Sequence, residues 1–262
     1  MANTATYKAK TAKTGKAAKA KPKAPRISAA LKAHEKKLYD LANAQFKSDA
    51  YTRMFAAPWT KKGVQQFFMQ HAQFNLNRRD CWGHVQGNAP LAVKKIVWEH
   101  EEEELGGVAA RGGANHYELA VQQGASFGLK PKDFFKTKTM DGAFTCYQAW
   151  LNVARHSHWL EGFAASAALE YSNSETVIRG GCLSRRMGEK LQSELGIPMK
   201  KQYSNEEHVT ADIAHGELLI TIGRMFGDTA DARDLIMSGA MKSWAIDRTY
   251  RAFLAGVLEA NS

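Results

Sequence analysis

The sequence predicts an all-α protein, a bundle of about seven or eight helices, on two main observations. After Pro25, apolar residues recur at three- and four-residue steps along almost the whole chain. No segment shows the sustained apolar–polar alternation of a half-buried strand, and no internal repeat is visible. We therefore expect a basic tail, residues 1–26, followed by a single helical domain, residues 27–262.

The predicted helices follow one another in order and are separated by short links with proline, glycine or polar residues. Their expected ranges are 28–46, 59–83, 91–105, 116–127, 142–171, 174–196, 205–226 and 228–258. The third begins after Pro90, a residue suited to a helix start, and the fourth ends at Gly128. The segment 142–171 is rich in alanine and aromatic residues, so we expect it to be a central buried helix.

The formal net charge of +10 belongs almost entirely to the tail. Eight of these ten charges fall in residues 1–26, which hold seven lysines, Arg26 and no acidic residue. The tail has almost no large apolar residue and cannot fold alone, so we expect a disordered extension with at most a weak contact to a polyanion such as nucleic acid. A transit peptide is the alternative, although it would be richer in arginine and serine.

The cysteines and the hydropathy pattern indicate a cytoplasmic protein. Cys81, Cys146 and Cys182 are far apart, odd in number and in no CxxC pair, which argues against a disulfide framework. No apolar run approaches the length of a membrane span, and no signal-peptide core follows the first methionine. We expect no membrane partner, and since helical surfaces often pair, a homodimer is one expected assembly.

Three residues in the segment 205–226 form the most informative pattern: His208, Asp212 and His215. Offsets of four and seven residues place all three side chains on one narrow stripe of a helix. Two imidazoles and a carboxylate directed to one point are typical ligands of a first-row metal ion. The alternative is a solvated polar face with one core histidine.

A helical bundle builds a metal site from several facing helices, so this triplet requires partners elsewhere in the chain. One candidate source is the acidic run 99–104, which His116 follows after a glycine-rich link. The other is Glu170, which ends a mostly apolar helix and would be costly to bury unless paired or metal-bound. The plain alternatives are a solvated acidic face and a glutamate placed where a helix leaves the core.

Taken in order, these segments resemble the haem-oxygenase-like di-iron oxidases and oxygenases. The matching features are an acidic pair before Leu105-Gly106, the sequence His-Tyr-Glu-Leu from His116, Glu170, and Glu-His-x3-Asp-x2-His from Glu207. The resemblance covers about residues 45–255 and lies within the wider haem oxygenase, TenA and pyrroloquinoline-quinone-synthase fold. It is nearest to the para-aminobenzoate synthase branch, which shares the last motif.

The resemblance implies oxygen-dependent oxidation of a small organic substrate at two iron ions, with manganese as an alternative metal in one site. The implied ligands are Glu103, His116, Glu170, His208, Asp212 and His215. Glu102 or Glu104 could replace Glu103. Three carboxylates, which can bridge two metals and offset their charge, and three imidazoles are a sensible set for ferrous iron.

The chain departs from the para-aminobenzoate branch in two places. The link to His116 is longer, with an added segment 108–113, and Leu169 precedes Glu170, where that branch has a tyrosine. In that branch the product is thought to be cut from a tyrosine of the protein itself, and Tyr51 falls near the corresponding place. Tyr51 and Tyr171 are therefore the candidate catalytic residues, although Tyr51 is also a reasonable core aromatic.

Two other functions remain open. The first is a metal-free enzyme of the same fold, either TenA-like, with Cys146 as the candidate nucleophile, or quinone-synthase-like, which would not need Asp212. The second is a non-enzymatic interaction protein that acts through the basic tail. Deletion of residues 1–26 separates this last function from catalysis, because a catalytic body would keep its activity.

Overall fold

The structure, a computed structural model, describes residues 27–107 and 109–262, so the basic tail lies outside the described residues. Within these ranges the chain forms eleven α-helices and no strand. The helices are α1 (Ala29–Gln45), α2 (Asp49–Ala56), α3 (Lys61–Asn88), α4 (Leu91–Gly106), α5 (His116–Gly124), α6 (Pro131–Lys136), α7 (Asp141–His156), α8 (Trp159–Asn173), α9 (Leu183–Leu195), α10 (Tyr203–Phe226) and α11 (Ala230–Glu259). The all-α prediction is confirmed, but the predicted count of seven or eight helices was too low.

The extra helices arise from short elements and from one break. The helices α2 and α6 are only eight and six residues long, too short to give a clear apolar period. The segment predicted as one helix, 142–171, forms both α7 and α8, because the side chain of His158 caps α8. Its Nδ1 atom accepts a hydrogen bond from the backbone N–H of Leu160 at 3.2 Å.

The helix α8 lies at the centre of the fold, where it packs against α7, α10 and α11. Its small side chains, among them Ala164, Ala167 and Ala168, are fully buried and allow these neighbours to approach closely. Around it, the indole rings of Trp82 and Trp244 are also buried. This packing fixes the end of α8, which carries Glu170, beside α10.

The described helices and the three cysteines bear on the predictions about membrane spans and disulfides. None of the described helices has the combination of length and apolar character required to cross a bilayer. Cys81, Cys146 and Cys182 are all buried and unpaired. The cysteines therefore behave as small core residues, consistent with the absence of a disulfide framework predicted from the sequence.

Candidate metal centre

Buried and partly buried acidic and imidazole side chains converge where α4, α5, α8 and α10 meet. The seven residues are His100, Glu104, His116, Glu170, His208, Asp212 and His215. Asp212 is fully buried and Glu104 is only 6% exposed. Ionised groups at this depth are costly unless charges of opposite sign compensate them.

The helix α10 presents its three residues on one stripe, as their spacing predicts. The Nδ1 atom of His215 lies 3.6 Å from Oδ1 of Asp212. The other Asp212 oxygen, Oδ2, accepts a hydrogen bond from the side-chain amide of Asn173 at the end of α8. Gly216 permits this approach, since a Cβ atom there would lie 2.5 Å from the Cβ atom of Ser174.

One carboxylate oxygen of Glu104 faces three imidazoles. Its Oε1 atom lies 3.0 Å from Nδ1 of His116, 3.4 Å from Nδ1 of His215 and 4.0 Å from Nε2 of His100. The Oε2 atom forms an ion pair with Arg79 at 2.7 Å. Glu104 thus joins the α4 side of the cluster to α5 and α10, while Arg79 offsets its charge.

The backbone between α4 and α5 brings Glu104 and His116 together. His116 is the first residue of α5, and the preceding Asn115 forms a reciprocal capping box with Glu118. After α4, Gly107 has a φ of 85°, and a Cβ atom there would lie 1.9 Å from the carbonyl oxygen of Gly113. The longer link therefore folds tightly against itself at a position that only glycine can occupy.

Three imidazoles of the cluster have one ring nitrogen held by an outer partner. The pairs are His100 Nδ1 with Glu101 Oε1 at 3.0 Å, His208 Nδ1 with the Ser204 carbonyl oxygen at 2.7 Å, and His215 Nε2 with Glu103 Oε2 at 2.8 Å. In the neutral imidazole, a nitrogen facing such an acceptor carries the proton, which leaves a lone pair on the opposite nitrogen. Metal-bound histidines are held in this way, because the outer partner fixes both the tautomer and the ring orientation.

Several buried nitrogen and oxygen atoms of the cluster make no hydrogen bond within the described part of the chain. They are His100 Nε2, His116 Nδ1, His215 Nδ1 and Asp212 Oδ1. Leaving a buried polar atom without a hydrogen bond costs roughly 1–3 kcal/mol. Several such atoms in one place are therefore typical of a site that binds a ligand. Two overlapping groups have donor atoms within 4.8 Å of one another: His100, Glu104 and His215, and Glu170, Asp212 and His215.

The electrostatics of the cluster favour a cation. Burial alone would raise the pKa of the Glu104 carboxyl, but Arg79 and His116 outweigh it and hold the pKa well below its usual range. Burial lowers the pKa of His215, but the neighbouring carboxylates of Asp212 and Glu104 outweigh burial and raise the pKa to about 10. In the absence of a metal, a proton on His215 therefore supplies positive charge that these carboxylates require.

The structure brings five of the six expected ligand residues into this cluster: His116, Glu170, His208, Asp212 and His215. The side chain of the sixth, Glu103, is 66% exposed, and its carboxylate contacts the outer nitrogen of His215. Glu104, allowed as its replacement, is the buried member of the run. Sequence reasoning did not include His100, although its position one helical turn before Glu104 was a usable signal.

Tyr51 lies in the neighbourhood of this cluster. It lines a partly open cavity of about 60 Å³ together with Glu104, Glu170 and His208. Its hydroxyl donates a hydrogen bond to Oδ2 of Asp247 at 2.5 Å. Burial raises the pKa of the Tyr51 phenol, and the neighbouring carboxylate raises it further.

Tyr171 is not among the residues that line this cavity, and its role as a catalytic residue stays a prediction. It lines a separate surface depression beside Glu35 and Glu217. Cys146 does not line the cavity either, and burial raises the pKa of its thiol to about 11, which disfavours the nucleophilic thiolate.

A helical bundle with a cluster of carboxylate and imidazole groups, several of whose atoms make no hydrogen bond within the described residues, is compatible with metal binding. The model of the family of iron-containing redox enzymes matches residues 65–248, and the chain belongs to this family. No curated protein matches the chain.

Solved structures confirm the haem-oxygenase-like fold that the resemblance implied. A CADD-like protein of unknown function from Nostoc punctiforme superposes with a TM-score of 0.66 at 14% identity, covering 90% of this chain and 98% of its own. A domain with a heme oxygenase-like fold from Shewanella denitrificans gives 0.62 at 14% identity, covering 88% and 92%. A TenA homolog from Pseudomonas syringae gives 0.56 at 12% identity, covering 84% and 91%.

Proposed function

We propose that the protein is an oxygen-dependent non-haem di-iron oxidoreductase that oxidises a small organic substrate. The observation that carries this proposal is the convergence of two overlapping groups of buried donor atoms, several of them without a hydrogen-bond partner. Membership of the iron-containing redox enzyme family supports iron as the metal. The mixed carboxylate and imidazole donors are suited to ferrous iron, and manganese is an alternative in one site.

The residues that would hold the two ions are Glu104, His116, Glu170, His208, Asp212 and His215. Glu104 replaces Glu103 in this set because its Oε1 atom faces the imidazoles of both α5 and α10. A carboxylate in that position would be suited to hold a metal ion together with these imidazoles. Glu103 then has a different task, which is to hold the outer nitrogen of His215.

When bound, iron would supply the redox chemistry for dioxygen activation, and the protein would supply orientation and charge. Glu103 and the Ser204 carbonyl keep the rings of His215 and His208 in one orientation. Arg79 offsets the charge of Glu104. The cavity of about 60 Å³ beside the cluster is suited to a small molecule or to a segment of the protein itself.

Metal content tests this proposal directly. We expect about two iron ions per chain after anaerobic Fe(II) loading, and loss of both in a His208→Ala/Asp212→Ala double variant, since both residues are proposed ligands. The matched control is His156→Ala, which removes an exposed histidine at the end of α7. Wild-type protein that binds no iron would reject the proposal and return the chain to metal-free enzymes of this fold.

Tyr51 favours a narrower version of the same function, in which the substrate is this tyrosine and the product is para-aminobenzoate, with an amine donor as co-reactant that supplies the nitrogen in place of the phenol oxygen. The supporting observation is that Tyr51 shares the cavity with Glu104, Glu170 and His208. Intact-mass measurement after aerobic turnover should show loss of the Tyr51 side chain, and Tyr51→Phe should show no loss. An unchanged wild-type mass with continuing oxygen consumption would exclude the self-derived substrate and leave the di-iron proposal standing.

A further inference from the structure

We infer that His100 is a further ligand of the metal centre, a donor outside the six positions that the family resemblance supplies. This inference rests on the proposed function. His100 is 4% exposed and lies on α4, one turn before Glu104. Its Nε2 atom lies 4.0 Å from Oε1 of Glu104 and 3.9 Å from Oε1 of Glu170, and it makes no hydrogen bond.

The ring of His100 is held in the orientation that a metal ligand requires. Its Nδ1 atom contacts Oε1 of Glu101 at 3.0 Å, and the same oxygen is held by Arg79 at 2.9 Å. The indole of Trp82 packs against the ring with a centroid separation of 4.8 Å. This is the carboxylate–histidine arrangement of metal sites, in which the outer carboxylate keeps the proton on the far nitrogen.

The distances distinguish His100 from an ordinary core histidine. At 3.9 and 4.0 Å, its Nε2 atom is too far from either carboxylate for a hydrogen bond. A nitrogen lone pair facing two carboxylate oxygens is unfavourable unless a cation lies among them. Metal–nitrogen and metal–oxygen bonds of about 2.0–2.2 Å each allow donor atoms separated by this amount to bind one ion.

The overlap of the two donor groups also leaves a place for another nitrogen. His215 belongs to both groups, but its Nε2 atom is occupied by Glu103, so only Nδ1 can bind, and to one ion. If His215 binds with Glu170 and Asp212, the ion beside Glu104 has the imidazole of His116, whose Nδ1 atom lies 3.0 Å from Oε1 of Glu104. His100 supplies a second imidazole to this ion, because it is the other histidine of the Glu104 group.

Metal titration of three variants tests the inference, with Co(II) as the probe because its visible spectrum reports ligand changes. We expect wild-type protein and His156→Ala to bind two Co(II) ions. His100→Ala should bind one ion with unchanged affinity and the second at least roughly tenfold more weakly, with an altered Co(II) spectrum. In His100→Gly, added imidazole should restore the second ion and the spectrum, which a purely structural role would not allow.

A measurement on the wild-type protein tests the same inference without relying on variants that could fail to fold. In Co(II)-loaded wild-type protein, each metal-bound histidine should give one strongly shifted imidazole N–H resonance, so we expect four such signals. Three signals, or a His100→Ala variant that binds two ions with wild-type affinity and spectrum, would overturn the role of His100 while leaving the di-iron proposal intact. Failure of the wild-type protein to bind Co(II) and Fe(II) would instead reject the proposed function.

Discussion

The Nε2 atom of His215 lies 2.8 Å from Oε2 of Glu103, and this contact leaves the opposite ring nitrogen facing Asp212 and Glu104. The side chain of Glu103 is 66% exposed, whereas that of Glu104 is 6% exposed. Two adjacent glutamates therefore have different relations to one histidine. Glu103 holds its outer nitrogen, and Glu104 faces its inner one.

This relation predicts unequal effects of neutralising the glutamates of α4. Glu104→Gln should abolish binding of at least one iron ion, because it removes a proposed ligand and leaves Arg79 without that partner. Glu103→Gln should weaken iron binding by about 10- to 100-fold, as expected for an outer partner. Iron per chain, measured after equilibrium dialysis at several Fe(II) concentrations, distinguishes the two.

Glu102, which is exposed on the same helix, provides the matched control. Glu102→Gln removes the same charge from the same run and should leave iron binding unchanged. An equal loss of affinity in all three variants would show that the net charge of the run, rather than the position of Glu104, determines binding.

A second prediction concerns the pH dependence of metal binding. The pKa of His215 is raised to about 10, so its imidazole is protonated at neutral pH in the metal-free protein. A metal binds only the neutral imidazole, so binding must release this proton and affinity must rise with pH up to the raised pKa. We expect Co(II) affinity to increase by roughly tenfold per pH unit for each proton released between about pH 6 and pH 8.

Calorimetry in two buffers with different ionisation enthalpies measures the number of protons released at neutral pH. Release of one proton or more supports the raised pKa. A Co(II) affinity that levels off near pH 7, as for a histidine with an ordinary pKa, would contradict it.

The link between α4 and α5 gives a third prediction. Gly107 and Gly112 both have positive φ values, 85° and 71°, but only at Gly107 would a Cβ atom collide, with the carbonyl oxygen of Gly113 at 1.9 Å. Gly112→Ala should lower the free energy of unfolding by about 1 kcal/mol through backbone strain alone. Gly107→Ala should lower it by about 3 kcal/mol or more, since the backbone must also move.

Urea unfolding of the metal-free protein measures both values, with Gly112→Ala as the control for positive φ. Because this link connects Glu104 with His116, Gly107→Ala should also weaken iron binding, and Gly112→Ala should not. Equal destabilisation of the two variants would show that the close approach of Gly107 to Gly113 does not contribute to the free energy of unfolding.

The fourth prediction separates the contribution of Tyr51 to the stability of the protein from its position in the cavity beside the metal centre. Tyr51→Phe removes a hydrogen bond to a charged acceptor, Asp247, which keeps its ion pair with Arg251 at 2.9 Å. We expect a loss of about 1.5 kcal/mol in the free energy of unfolding, with iron content unchanged. Tyr39→Phe, at a partly exposed hydroxyl that accepts a hydrogen bond from Arg179, should change stability by less than about 0.5 kcal/mol.

Much of the fold could be predicted, because the spacing of apolar residues along the chain indicates where most helices lie. The stripe of His208, Asp212 and His215 appears on α10 as expected, since spacing on one helix fixes which side chains share a face. The same periodicity did not reveal the break at Ser157 and His158, because both α7 and α8 are rich in apolar residues and the break depends on a single cap. Short helices such as α2 were not predicted, because they are too short to show an apolar period.

The sequence by itself determined the all-α architecture and the face of α10 that carries the metal-binding pattern. Only the tertiary structure decided which glutamate of α4 enters the cluster and added His100 to it. In a run of consecutive polar residues no apolar landmark shows which face is buried, so the rotation of α4 against α5, α8 and α10 makes the choice. That rotation buries Glu104 and His100 together, one turn apart, and leaves Glu103 at the rim.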